Sequence, residues 1–185
     1  MTKSLHYEAE LIVAIGKGGI RIPEERARDH IFGYSIGCDL TRRDLQSEAK
    51  SLKRPWATAK GFDYSAPMGH IVPIVPIDSN DGNNDKKSNS HSKTISSTII
   101  QPDARISLSV NGKVRQDSTI DKMIWSIPEM ISHLSTYFRL KPGDLIMTGT
   151  PSGVDDLCIG DYIEISCGDL PRCTFMIGEP ESKGE

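Results

Sequence analysis

The run from Leu5 to Ile15 constrains this chain more than any other segment. It begins as an alternation, with His6, Glu8 and Glu10 on one side and Tyr7, Ala9 and Leu11 on the other, the period of a β-strand. From Leu11 to Ile15 it is wholly apolar, and it stops at Gly16-Lys17-Gly18-Gly19, a turn signal. Pro23-Glu24-Glu25 then opens a short helical stretch that leads into a second buried run, Ile31 to Cys38.

The rest of the chain adds strands faster than helices. Asp39 is placed to cap a helix on which Arg43, Gln46 and Lys50 share one face. Trp56 to Pro67 reads as a loop centred on Lys60-Gly61-Phe62-Asp63, and Pro73 and Pro76 confine the next strand to a sheet edge or a broken piece. Residues 79–103 are rich in Asn, Ser, Asp and Lys, too polar to offset their ordering entropy, and are expected to form a mobile surface insertion. Ile106 to Val110 alternates as a strand and meets Asn111-Gly112, a hairpin turn. Ser126 and Glu129 stand at capping-box spacing with Pro128 in the first turn, so a helix is expected there. Its apolar stripe of Ile127, Ile131, Leu134 and Phe138 is core or a subunit contact, with His133 beside it structural. Two short strands close the chain, Leu145 to Thr148 and Tyr162 to Cys167, and Gly149 to Gly153 between them is a tight loop rich in backbone donors. With no regular βαβ alternation, the expected fold is α+β and sheet-dominated. One domain is expected over 1–178, with 179–185 a disordered tail.

Composition removes several functional classes. The 22 basic and 25 acidic residues are mixed along the chain, with no basic stripe for nucleic acid. No segment is long and apolar enough to span a membrane, and the first residues do not read as a signal peptide. Cys38, Cys158, Cys167 and Cys173 form no CxxC pair and no Cys/His ligand spacing. They read as free thiols in a reducing compartment, the cytosol by default and the mitochondrial matrix as the alternative.

Chemistry gathers around acidic residues. Glu8 and Glu10 project from one strand face, and Asp39 would join them from the end of a second strand. Three carboxylates without a thiolate make a hard-oxygen site, which favours magnesium, manganese or calcium over zinc. A cation there can chelate a 2-oxo acid. Arg43 can pair with a substrate carboxylate, Gln46 with a carbonyl, Lys60 with charge developing on an enolate, and Thr150 with a second carboxylate or carbonyl. By spacing alone each also has a plain structural role. The glutamates can be a solvated strand face, Arg43 and Gln46 an exposed helix face, Lys60 a loop charge and Thr150 a turn residue.

Several segments, taken together and in order, resemble the fumarylacetoacetate hydrolase family. They are Leu5 to Leu11, Gly33-Tyr34 through Asp39 to Gln46, Ala59 to Asp63, Val110-Asn111-Gly112 with Arg115-Gln116, and Pro142-Gly143-Asp144 to Pro151. Within the family the wording of Ala14 to Gly19 and Asp39 to Gln46 is most similar to fumarylpyruvate hydrolases, with acylpyruvate hydrolases next. The resemblance implies a β-rich α+β roll of mixed sheets, usually a homodimer, with Glu8, Glu10 and Asp39 as ligands of Mg2+ or Mn2+. It implies that Arg43, Gln46 and Thr150 bind substrate and that Lys60 both binds it and stabilises the enolate. The implied reaction is hydrolysis of a carbon–carbon bond in a 2,4-dioxo acid, fumarylpyruvate or an acylpyruvate, to a carboxylic acid and pyruvate.

The chain departs from the family pattern in two places. Upstream of the glutamate strand, members carry a Gly-Arg-Asn-Tyr type segment with a water-activating His and Glu, absent from the residues before His6. His6 is then the one candidate base, with a supporting role the plainer assignment. Val154-Asp155-Asp156 also stands where a glycine usually follows Gly-Val. Two rival expectations follow: an oxaloacetate decarboxylase or tautomerase on the same metal site, or a truncated or degenerate copy without catalysis.

Overall fold

The computed structural model describes residues 2–74 and 100–179. Its first sheet is built on the constraining segment. Strand β1 (Leu5–His6) is separated by Tyr7 and Glu8 from β2 (Ala9–Ile15), and a 3-10 turn over Glu24–His30 leads to β3 (Ile31–Cys38). After β4 (Thr41–Arg42) come helices α1 (Arg43–Ser51) and α2 (Ala57–Lys60), then β5 (Val72–Pro73). The hairpin β6 (Arg105–Val110) and β7 (Lys113–Thr119) precedes helix α3 (Ile127–Tyr137), and β8 (Leu145–Met147), β9 (Tyr162–Cys167) and β10 (Cys173–Met176) close the fold.

The strands form two four-stranded sheets, ordered β5-β3-β2-β8 and β10-β9-β6-β7, plus the small pair β1-β4. Every described pairing in the three sheets is antiparallel. Strand β2 packs against β6, and β3 against β9. The core between the sheets holds Leu11, Val13, Ile36, Leu108, Ile163 and Ile165, each at most 1% exposed. The α+β class expected from the sequence is the class observed. Proline at β5 also acts as expected, since β5 is an edge strand of its sheet. The hairpin turn has Asn111 at φ 51° and Gly112 at φ 76°, the left-handed pair that a two-residue turn requires.

Other expectations are corrected. Asp39 caps no helix: α1 starts four residues later, because Thr41–Arg42 is drawn into pairing with Leu5–His6. Lys60 stands at the end of a helical turn rather than in a loop. Strand β10 follows β9 as a third closing strand. The residues 79–99 of the expected insertion and 180–185 of the tail lie outside the described residues; 100–103 form an ordered approach to β6.

Helix α3 carries the expected capping box, with Ser126 Oγ accepting from Glu129 N and the Glu129 carboxylate accepting from Ser126 N. Ile131 is fully buried, but Phe138 is 64% exposed because the chain turns extended at that residue and leaves the helical stripe. His133 packs edge-on against Trp125 and Tyr137, a structural role as expected. Ser126→Ala is expected to cost about 1 kcal/mol and to lower the melting temperature by about 2–4 °C, read by thermal denaturation. Among the described residues no helix is long and apolar enough to cross a membrane.

Candidate active site

Pairing of β2 with β3 sets Ala9 opposite Cys38 and Glu10 opposite Gly37, so Asp39, one residue past β3, arrives beside Glu8. The Asp39 N–H donates to the Glu8 carbonyl at 2.8 Å and fixes that register. One carboxylate oxygen each from Glu8, Glu10 and Asp39 then lies within 4.8 Å of the others. Glu8 is 8% exposed and Glu10 3%, which corrects the reading of a solvated strand face. The polar side of the alternation is covered, with Arg43 of α1 and Lys60 of α2 reaching Glu8 and the Gly149 N–H reaching Glu10.

Buried carboxylates need partners, and two cations supply them. Lys60 Nζ donates to Glu8 Oε2 at 2.7 Å, Asp39 Oδ2 at 2.5 Å and Thr41 Oγ1 at 2.8 Å. Arg43 Nη2 donates to Glu8 Oε1 at 2.5 Å, and its Nη1 to Gln46 Oε1 at 2.5 Å. Burial works to raise the Glu8 pKa, but the Lys60 and Arg43 hydrogen bonds outweigh it and hold the carboxyl below its ordinary range. Glu10 is different. Burial pushes it up to about 7, opposed by the Gly149 N–H, which donates to Glu10 Oε2 at 2.7 Å. Asp39 and Glu8 push it further in the same direction by their charge. With all five groups charged, three carboxylates against Lys60 and Arg43 leave one negative charge in a mostly buried cluster.

His6 lies behind this cluster. Arg43 Nε donates to His6 Nδ1 at 3.3 Å, so the ring proton is on Nε2, which faces Asp156 Oδ1 at 3.3 Å. Both ring nitrogens are engaged. The residue supports Arg43, and the expectation of His6 as base gives way to its supporting role. Asp156 is thereby tied to β1 and the residue before it, since its carboxylate also accepts from Ser4 Oγ.

Thr150 reaches the site through its neighbour Gly149 and through Gln116, whose Nε2 donates to Thr150 Oγ1 and to the Pro151 carbonyl at 2.8 Å each. The structure thus joins Glu8, Glu10, Asp39, Arg43, Gln46 and Lys60 in one network, with Thr150 at its border. Sequence reasoning gives Thr41 and Gln116 no role in the site, whereas the Gly149 amide belongs to the loop it reads as rich in backbone donors. Thr41 falls two residues after Asp39 and could have been found by proximity. A cavity of about 700 Å³ is lined by Leu11, Gly149, Thr150 and Pro151 among others, and Glu8, Glu10 and Asp39 are not in its lining. The donor set is all oxygen and acidic, which fits a hard divalent cation held by Glu8, Glu10 and Asp39.

The family model described as fumarylacetoacetate (FAA) hydrolase C-terminal matches residues 1–177. The chain belongs to the fumarylacetoacetate hydrolase family of enzymes. It is 41% identical over 180 residues to a fumarylpyruvate hydrolase from a Ralstonia species, covering 97% of this chain and 82% of that protein. It is 36% identical over 183 residues to the mitochondrial oxaloacetate tautomerase of Homo sapiens, covering 97% of this chain and 72% of that one. The crystal structure of fumarylpyruvate hydrolase from Pseudomonas aeruginosa in complex with Mn2+ and pyruvate superposes with a TM-score of 0.81 at 39% identity. That match covers 96% of this chain and 67% of the Pseudomonas chain. The family resemblance read from the motifs is therefore confirmed.

Proposed function

We propose that this chain is a divalent-metal-dependent hydrolase that cleaves the carbon–carbon bond of a 2,4-dioxo acid, fumarylpyruvate or another acylpyruvate, to a carboxylic acid and pyruvate. The observation that carries the reading is the convergence of Glu8, Glu10 and Asp39 around Lys60. In this reading Glu8, Glu10 and Asp39 hold Mg2+ or Mn2+, and the Mn2+ and pyruvate bound to the Pseudomonas relative support that choice. When bound, such a cation polarises carbonyl oxygens and offsets negative charge.

The chain's own residues hold the substrate and meet the charge of the leaving enolate, while water attacks the distal carbonyl and its oxygen ends in the carboxylic acid. Arg43 and Gln46, already joined to each other, present a guanidinium and an amide to a substrate carboxylate and carbonyl. Lys60, held by Glu8, Asp39 and Thr41, places an ammonium where the leaving pyruvate enolate gathers charge, and that stabilises the transition state more than the ground state. Thr150 donates to a substrate oxygen at the border of the site. A homodimer is part of the proposal, and light scattering at twice the chain mass supports it where the single-chain mass contradicts it. The cytosol is the proposed compartment, with the mitochondrial matrix as the alternative.

A second reading keeps the same residues for oxaloacetate, by tautomerisation or decarboxylation, and the 36% identity to the human oxaloacetate tautomerase favours it. Enol absorbance separates the two when fumarylpyruvate and oxaloacetate are each supplied with Mg2+. Faster loss of fumarylpyruvate is expected. Consumption of oxaloacetate with fumarylpyruvate untouched would replace the first reading by the second.

A further inference from the structure

Gln116 is among the largest fully buried side chains, at 1% exposure, and it is polar. A strand of strict alternation would not put it there. Along β7, Lys113 opposes Val110 and Val114 opposes Ser109, but Gln116 opposes Leu108, so Arg115 is an extra residue and the strand bulges. The bulge resets the alternation and turns Gln116 to the face shared with Leu108 and Val110. Gly153, at φ +104°, closes the loop against this bulge; a Cβ there would stand 2.4 Å from the Arg115 carbonyl oxygen.

From that position the amide joins two parts of the site. Its Oε1 accepts from the Ala9 N–H at 2.9 Å, the peptide unit between Glu8 and Glu10. Its Nε2 spends one hydrogen on the Pro151 carbonyl and the other on Thr150 Oγ1. A hydroxyl has one hydrogen to give. Because Thr150 Oγ1 accepts from Gln116, its own hydrogen is directed away from the amide.

We propose that Gln116 is a positioning residue, which sets the spacing of the Thr150 loop from the glutamate strand and holds the Thr150 hydroxyl as a donor toward substrate. This rests on the hydrolase reading, in which Thr150 touches substrate. Gln116→Glu keeps the acceptor for Ala9 but removes the donor, so Thr150 turns its hydrogen to the new carboxylate. The KM for fumarylpyruvate is expected to rise about 10-fold or more, the cost of a lost hydrogen bond to a charged group, with a smaller change in kcat.

A double-mutant cycle with Thr150→Val separates this from a general effect of buried charge. In the Thr150→Val background, Gln116→Glu is expected to change KM less than about 2-fold, since the hydroxyl it acts through is gone. An equal rise in both backgrounds, or no rise with Gln116→Glu alone, overturns the proposal. Should Gln116→Glu fail to fold, Gln116→Met is carried through the same cycle and judged by the same two criteria. No effect of Thr150→Val on KM contradicts the role of Thr150 itself, and no turnover by the unaltered chain contradicts the hydrolase reading. In either case the same cycle is read on pyruvate affinity by calorimetry with Mn2+ present, where coupling between the two residues still decides.

Discussion

Replacing Glu10 by glutamine is expected to weaken divalent-cation binding by on the order of 1,000-fold while the metal-free protein stays folded. The carboxylate is 3% exposed, and its one direct hydrogen bond among the described residues comes from Gly149 N–H. Glutamine retains an acceptor for that N–H and removes the charge. At an effective dielectric of about 20, one unit charge about 4 Å from a divalent cation is worth roughly 8 kcal/mol, and desolvation of the carboxylate offsets about half of it, which leaves about three decades of affinity. Glu10 lacks the direct cation contacts that Glu8 enjoys, and burial already pushes its pKa up to about 7. Its charge is therefore a burden to the metal-free fold. The melting temperature without metal should hold or rise, whereas the rise that Mn2+ produces in the unaltered chain should vanish. A variant that keeps the Mn2+-induced rise would remove Glu10 from the proposed ligand set.

Lys60→Met is expected to act in the opposite way. Its ammonium is shared by Glu8, Asp39 and Thr41, so it competes with any second cation for two of the three carboxylates. Removing it should leave Mn2+ affinity unchanged or higher. Turnover should fall about 100- to 1,000-fold, the usual cost of deleting one preorganised group that meets developing negative charge. The check is kcat from enol absorbance beside a calorimetric Mn2+ titration of the same preparation. Loss of both together would make Lys60 a structural counter-ion rather than the group that meets the enolate.

Much of this arrangement is legible in the residues, and the parts that are not have a common cause. The strand through Leu11 to Ile15, the Asn111-Gly112 turn and the Ser126/Glu129 cap are local signals, each set by a few neighbouring residues, and each is present in the fold. The gathering of Glu8, Glu10 and Asp39 came from motif order and is reproduced by strand pairing. Burial of the two glutamates is left open by the sequence, which allows either a cation site or a solvated strand face. Alternation alone does not say whether a polar face meets water or a lysine brought from 50 residues downstream. Asp39 as a helix cap failed for a similar reason, since pairing of β4 with β1 is a long-range contact that overrides a local capping preference. Arg115-Gln116 stands out in the sequence as part of a family segment, but the burial of Gln116 does not, because a bulge changes which face a residue occupies and nothing in Lys113 to Thr119 announces one.

The central claim is that Glu8, Glu10 and Asp39 form a divalent-cation site. The most direct measurement is titration of the metal-free chain with Mn2+, followed by electron paramagnetic resonance of the free ion, for the unaltered protein and for a Glu10→Gln/Asp39→Asn double variant. One saturable site per chain, lost in the double variant, is the predicted result. No saturable site in the unaltered chain, or a site that survives in the double variant, would contradict it.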